Sequence, residues 1–113
     1  MSGGEQLVEN VLIKYKIPYK KEKTFPGLVG DSGRSLRYDF YIKGRSRWFL
    51  LEVDGTQHRK KNRFYSEKLI RYDKMKNEYA EKHDIKLYRL RYMSGSYGFL
   101  KRSLWVVLKE ECW

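Results

Sequence analysis

A chain of 113 residues is long enough for one packed core and too short for two independent domains. Hydrophobic residues at 41% and aromatic residues at 16%, ten of them tyrosines, exclude a disordered chain despite its high charge. Lys and Arg number 25 against 14 Asp and Glu, a net charge of +11, so a polyanion is the partner to consider first, and no stretch nears the ~20 apolar residues of a membrane span.

The first segment, "GEQLVENVLIKY", repeats apolar residues at Leu7, Val8, Val11, Leu12 and Tyr15, the spacing of one helix face ending before Pro18. Met1 to Gly4 before it lack the basic start and apolar core of a signal peptide and read as a flexible leader to a single domain over 5–113. "YKKEKTF" (19–25) alternates weakly as a first strand, and "LVGDSGRS" reads as a mobile loop suited to substrate contact. "LRYDFYI" (36–42) alternates as a second strand, with Tyr38, Phe40 and Ile42 on one face and Asp39 and Tyr41 on the other. A "KGRSR" hairpin leads into "WFLLEVD" (48–54), apolar enough for a central strand, which Gly55 closes. A helix from about Ser66 to His83, a strand "IKLYRLRY" (85–92) and a closing amphipathic helix "FLKRSLWVVLKEE" complete the order αβββαβα. The fold class expected is therefore α/β (α+β), a mixed central sheet flanked by helices with a C-terminal helix added. The single cysteine, Cys112, excludes an internal disulfide and fits a reducing, cytoplasmic setting.

Strands joined by a short hairpin pair residues whose numbers sum to a constant, so a turn centred in "KGRSR" sets Asp39 opposite Glu52, or within a residue or two of it. Directly opposed side chains have their Cβ atoms roughly 4.5–5.5 Å apart, where two carboxylates repel. Asp54 shares a face with Glu52 because side chains alternate with period two. Three converging carboxylates would be hard oxygen ligands of the kind Mg²⁺ accepts, with Mn²⁺ able to substitute. Pairing of each acid with a nearby Lys or Arg is the plainer alternative.

His58 lies just past the carboxylates, as a general base, a phosphate donor, a ligand or simply a surface histidine. His83, near a helix C-terminus, suits a capping cation. Asp73, Lys76 and Asn77 fall on one side of the long helix and could face the same pocket or solvent. Lys20, Lys21 and Lys23, Arg45 and Arg47, and Arg59, Lys60, Lys61 and Arg63 form clusters able to meet phosphates, as do Lys101 and Arg102. Trp48, Tyr65 and Tyr97 are candidate stacking surfaces.

The segments "GEQLVENVLIKYKIPYKKEKTF", "LRYDF", "LEVDGTQH" and "RYDKMKNEYAEKHDIKLYRLRY", covering residues 4–92, together resemble the PD-(D/E)XK nuclease superfamily. Within it they are most similar to small phage-type and Vsr-like endonuclease domains, a group that includes homing endonucleases. The resemblance implies a restriction-endonuclease-like αβββαβ core and a Mg²⁺-dependent DNA endonuclease of a bacterial or phage-infected cell. It also implies Asp39 and Glu52 as metal ligands, the carbonyl of Val53 as a third, and Glu5 as the acid of the first helix. Glu5 equally suits the positive end of the helix dipole, and Glu9 is expected to point toward solvent. Asp54 stands where the superfamily's usual lysine would orient the attacking water, so it could bind a second ion or act as a base while Gln57, His58, Lys74 or Lys76 donates. A nicking monomer and a homodimer cutting both strands are both compatible with this reading. So are a branched-DNA or mismatch repair nuclease and an inactive DNA- or RNA-binding module.

Overall fold

The chain builds seven elements in the expected order, seen in a computed structural model that describes residues 3–55, 63–93 and 96–113, with the backbone alone over 63–66. They are α1 (Gly3–Lys14), β1 (Tyr19–Lys23), β2 (Tyr38–Lys43), β3 (Trp48–Gly55), α2 (Arg63–Lys82), β4 (Leu87–Tyr92) and α3 (Tyr97–Glu111). One mixed sheet has the order β1-β2-β3-β4, antiparallel across β1, β2 and β3 and parallel between β3 and β4. The parallel step needs a crossover, and α2 supplies it. The fold is thus α+β, with helices on both faces of the sheet. No helix among the described residues is long and apolar enough to cross a membrane.

β3 is central because its residues are apolar on both faces. Phe49, Leu51 and Val53 face α1 and α3, meeting Val8, Val11, Leu12, Leu100, Leu104 and Leu108. Leu50 faces α2, with Ala80, Leu28 and Leu36. This division places α1 and α3 on one side of the sheet and α2 on the other.

Three expectations are corrected by packing. α1 begins at Gly3, inside the stretch expected as a leader, and Gly4 is buried; a Cβ there would lie 2.6 Å from the Tyr92 ring, so only glycine lets the α1 N-terminus approach the end of β4. The 28–35 loop, expected to be mobile, buries Leu28 and donates the Asp31 N–H to the Tyr72 hydroxyl at 2.7 Å. Glu9, expected in solvent, accepts from the Tyr19 hydroxyl at 2.7 Å and from Lys21 at 3.3 Å, tying α1 to β1. The Tyr19 hydrogen bond holds the Glu9 carboxyl below its ordinary range. At the β2–β3 hairpin Glu111, 6% exposed, accepts two bonds from Arg47 and one from the Tyr88 hydroxyl, which anchors α3 there.

Candidate active site

The β2–β3 ladder runs Lys43↔Trp48, Ile42↔Phe49, Tyr41↔Leu50 and Phe40↔Leu51. Continued by one residue, it sets Asp39 opposite Glu52, as the hairpin arithmetic requires. At that point carboxylates replace the backbone ladder. The Asp39 N–H donates to Glu52 Oε2 at 3.0 Å, and the Val53 N–H donates to Asp39 Oδ2 at 2.7 Å. On the other side of Asp39, the β1 residue between Lys21↔Phe40 and Lys23↔Tyr38 is Glu22, held at φ 50. A non-glycine residue in that region costs on the order of 1 kcal/mol, so the β1 neighbour of Asp39 departs from regular strand geometry. The strict alternation read from the sequence fails here too: Phe40 and Ile42 pack toward α1 and α3, whereas Tyr38 packs toward α2.

Lys76 reaches this pair from α2. Its Nζ donates to Glu52 Oε1 at 2.5 Å, with the Glu52 side chain 4% and the Lys76 side chain 14% exposed. Two residues outside the expected set hold α2 in place. The Tyr38 hydroxyl donates to the Lys76 carbonyl at 2.8 Å. Arg89, which pairs with Glu52 in the parallel β3–β4 register, donates to the Asp73 carbonyl at 3.2 Å and to Asn77 Oδ1 at 3.1 Å. Burial, followed by the charge of Glu52, raises the Tyr38 phenol, which therefore stays a donor. Asp73 and Asn77 thus serve as handles by which β4 grips α2, with Lys76 between them.

Asp54 does not join the carboxylate pair. Its Oδ2 lies 3.7 Å from Arg89 Nη1, which also lies 3.4 Å from Asp73 Oδ1. Among the described residues no three acidic, histidine or cysteine side chains gather closely enough to hold an ion, so the expected trio reduces to Asp39 and Glu52. The cause is the parallel neighbour: β4 sets a guanidinium beside Asp54. Val53 contributes its N–H to the site.

The electrostatics of the pair are unbalanced. Burial first, and then Glu52, push the Asp39 carboxyl up to about 8, and Glu5 at the start of α1 is near enough to raise it further. Lys76 offsets one of these charges, and a second positive charge would relieve the rest. A hard divalent cation fits the donor set, since Mg²⁺ uses one or two carboxylates and keeps several waters. The sign of the pH effect follows from the raised value. Without such a cation, the stability contributed by Asp39 is fully present below its ordinary range near 3.8 and is lost as pH rises through about 8. Mg²⁺ is therefore expected to raise Tm more at about pH 8.5 than at about pH 6. Calorimetry with Mg²⁺ against EDTA checks this, and an equal shift at both pH values would contradict it.

The remaining expected residues divide several ways. Lys74 is 76% exposed and pairs with Glu78 at 4.0 Å. Lys21 is bound to Glu9, Arg47 to Glu111, and Arg45 donates to the Trp113 carbonyl, so internal partners engage three cations expected on phosphates. Lys20 and Lys23 stand over aromatic rings. His83 follows α2 and stacks on Tyr79 at 4.1 Å. Gln57, His58, Arg59, Lys60 and Lys61, with the side chains of Arg63, Tyr65 and Ser66, lie outside the described residues.

Arg89 could have been found in the sequence only as an arginine alternating with Leu90 in an otherwise half-buried strand. The chain matches no protein-family model, no curated protein and no solved structure.

Proposed function

We propose that this protein is a metal-dependent DNA endonuclease of the PD-(D/E)XK kind, hydrolysing phosphodiester bonds in the cytoplasm. The observation that carries the reading is the Asp39–Glu52 pair at the point where β2 and β3 part, with Lys76 donating to Glu52 at 2.5 Å. Asp39 and Glu52 would hold Mg²⁺ or Mn²⁺, which when bound supplies charge neutralisation at the phosphate and a lowered pKa for a bound water. The protein's own groups do the positioning. Backbone N–H groups of Asp39 and Val53 fix one oxygen of each carboxylate and Lys76 holds the second oxygen of Glu52, so Asp39 Oδ1 and the remaining lone pairs of Glu52 would face the ion and its waters. Lys76 takes the role expected of the superfamily's strand lysine: it stays beside Glu52 and can donate to the attacking water or to the developing negative charge. Asp54 lies beside Arg89, whose Nη1 it shares with Asp73. Glu5, from α1, is near enough to influence Asp39 and suits a contact with a metal-bound water.

The net charge of +11 draws DNA to the protein, with Lys20 and Lys23 among the cations free of acidic partners in the described contacts. One pocket per chain cuts one strand, so a double-strand cut would need a second copy. Incubation with supercoiled plasmid tests the reading. Nicked circle is expected with Mg²⁺ or Mn²⁺ and none with EDTA. A salt-sensitive gel shift without any conversion of the plasmid would replace the enzyme by a DNA-binding module.

A further inference from the structure

The face of β1, β2 and the start of β3 that α2 leaves partly uncovered carries a row of rings. Trp48 and Tyr41 lie 4.9 Å apart at 30°, Tyr41 and Phe25 5.8 Å apart at 83°, and Phe25 and Tyr79 5.4 Å apart. Cations are interleaved with them. Lys20 Nζ is 5.8 Å from the Trp48 ring, and Lys23 Nζ is 5.1 Å from Phe25 and 5.2 Å from Tyr41. The register repeats this arrangement, pairing Lys20 with Tyr41 and Lys43 with Trp48, and residues paired across antiparallel strands share a face. Phe25, Tyr79 and the half-buried Tyr41 pack on the α2 cluster, while Trp48 begins the row at its outer end, half-buried beside the exposed Lys20 and Lys43.

We infer that this row is a binding site for a single-stranded segment of nucleic acid, whose unpaired bases stack on Trp48 and Tyr41 while Lys20, Lys23 and Lys43 meet its phosphates. Aromatic rings interleaved with cations suit such a strand because every base has a flat apolar face and every linkage a negative charge. A duplex keeps its base faces stacked on one another and could use only the cations. The placement matters for the reaction. Tyr41 is two residues from Asp39 along β2, a rise of about 7 Å, so a base on Tyr41 sets an adjoining phosphate near the carboxylate pair. The inference rests on the nucleic-acid reading above and deepens it: the preferred substrate would be DNA with an unpaired stretch at the cut.

Fluorescence anisotropy in EDTA, with labelled oligo-dT and a labelled blunt hairpin duplex, tests the site without cleavage. Trp48→Ala and Tyr41→Ala are each expected to weaken oligo-dT binding about tenfold and duplex binding less than twofold. Trp48→Phe is expected to retain most of the affinity, and Trp105→Ala, on α3, to change neither. Unchanged oligo-dT binding in Trp48→Ala, or equal losses on both probes, would overturn the stacking site. Because no metal is present, stacking without nicking would remove the nuclease reading alone, and nicking without stacking would remove this inference alone.

Discussion

Glu52→Gln is expected to slow metal-dependent plasmid nicking by about 10³-fold or more while leaving the protein folded. The substitution keeps the side-chain volume and removes one of the charges that would hold the ion. Loss of several kcal/mol of charge stabilisation in the transition state corresponds to a factor of that order. The folded state is not expected to suffer in proportion. Asp39 is raised partly by the charge of Glu52, so a neutral residue at 52 relaxes that repulsion even as it weakens the bond to Lys76. Initial nicking rates beside a thermal melt separate the two effects. Nicking that survives the substitution would remove Glu52 from the machinery.

Lys76→Met is expected to have the second largest effect and a different signature. Glu52 is nearly fully buried, and Lys76 is the cation that touches it; removal of one partner from a buried pair costs about 3 kcal/mol of stability. Cleavage is expected to fall about 10²-fold, the effect of losing one donor aimed at developing charge. Divalent-ion affinity is expected to rise, because no cation among the described residues is then left touching Asp39 or Glu52. A purely structural lysine would lower rate and metal affinity together. Nicking rate measured against Mg²⁺ concentration therefore reads out its role.

The helices and strands were legible because each carries a local pattern: the apolar face of "LVENVLIKY", the alternation of "LRYDFYI", the apolar run of "WFLLEVD". The carboxylate pair was legible for a related reason, since a short hairpin fixes its own register and sets Asp39 against Glu52. Arg89 was not. It meets Glu52 through a parallel pairing closed by the twenty-residue α2, and no local rule fixes the register of such a crossover. The surroundings of Asp54 were hidden for the same reason, because Arg89 beside it arrives from β4. Lys21, Arg45 and Arg47 counted toward a DNA surface because charge in a sequence carries no address. The fold spends them on Glu9, Glu111 and the Trp113 carbonyl. The opened ladder at Asp39, with Glu22 at positive φ beside it and Tyr38 turned toward α2, is a tertiary departure from alternation that period-two reading cannot foresee.

The central claim is that Asp39 and Glu52 form a divalent-cation site, and a Mn²⁺ titration followed by electron paramagnetic resonance tests it most directly. The native protein is expected to deplete free Mn²⁺ saturably, and Asp39→Ala and Glu52→Ala each to abolish that uptake at about pH 8. Uptake unchanged by both substitutions would contradict the account.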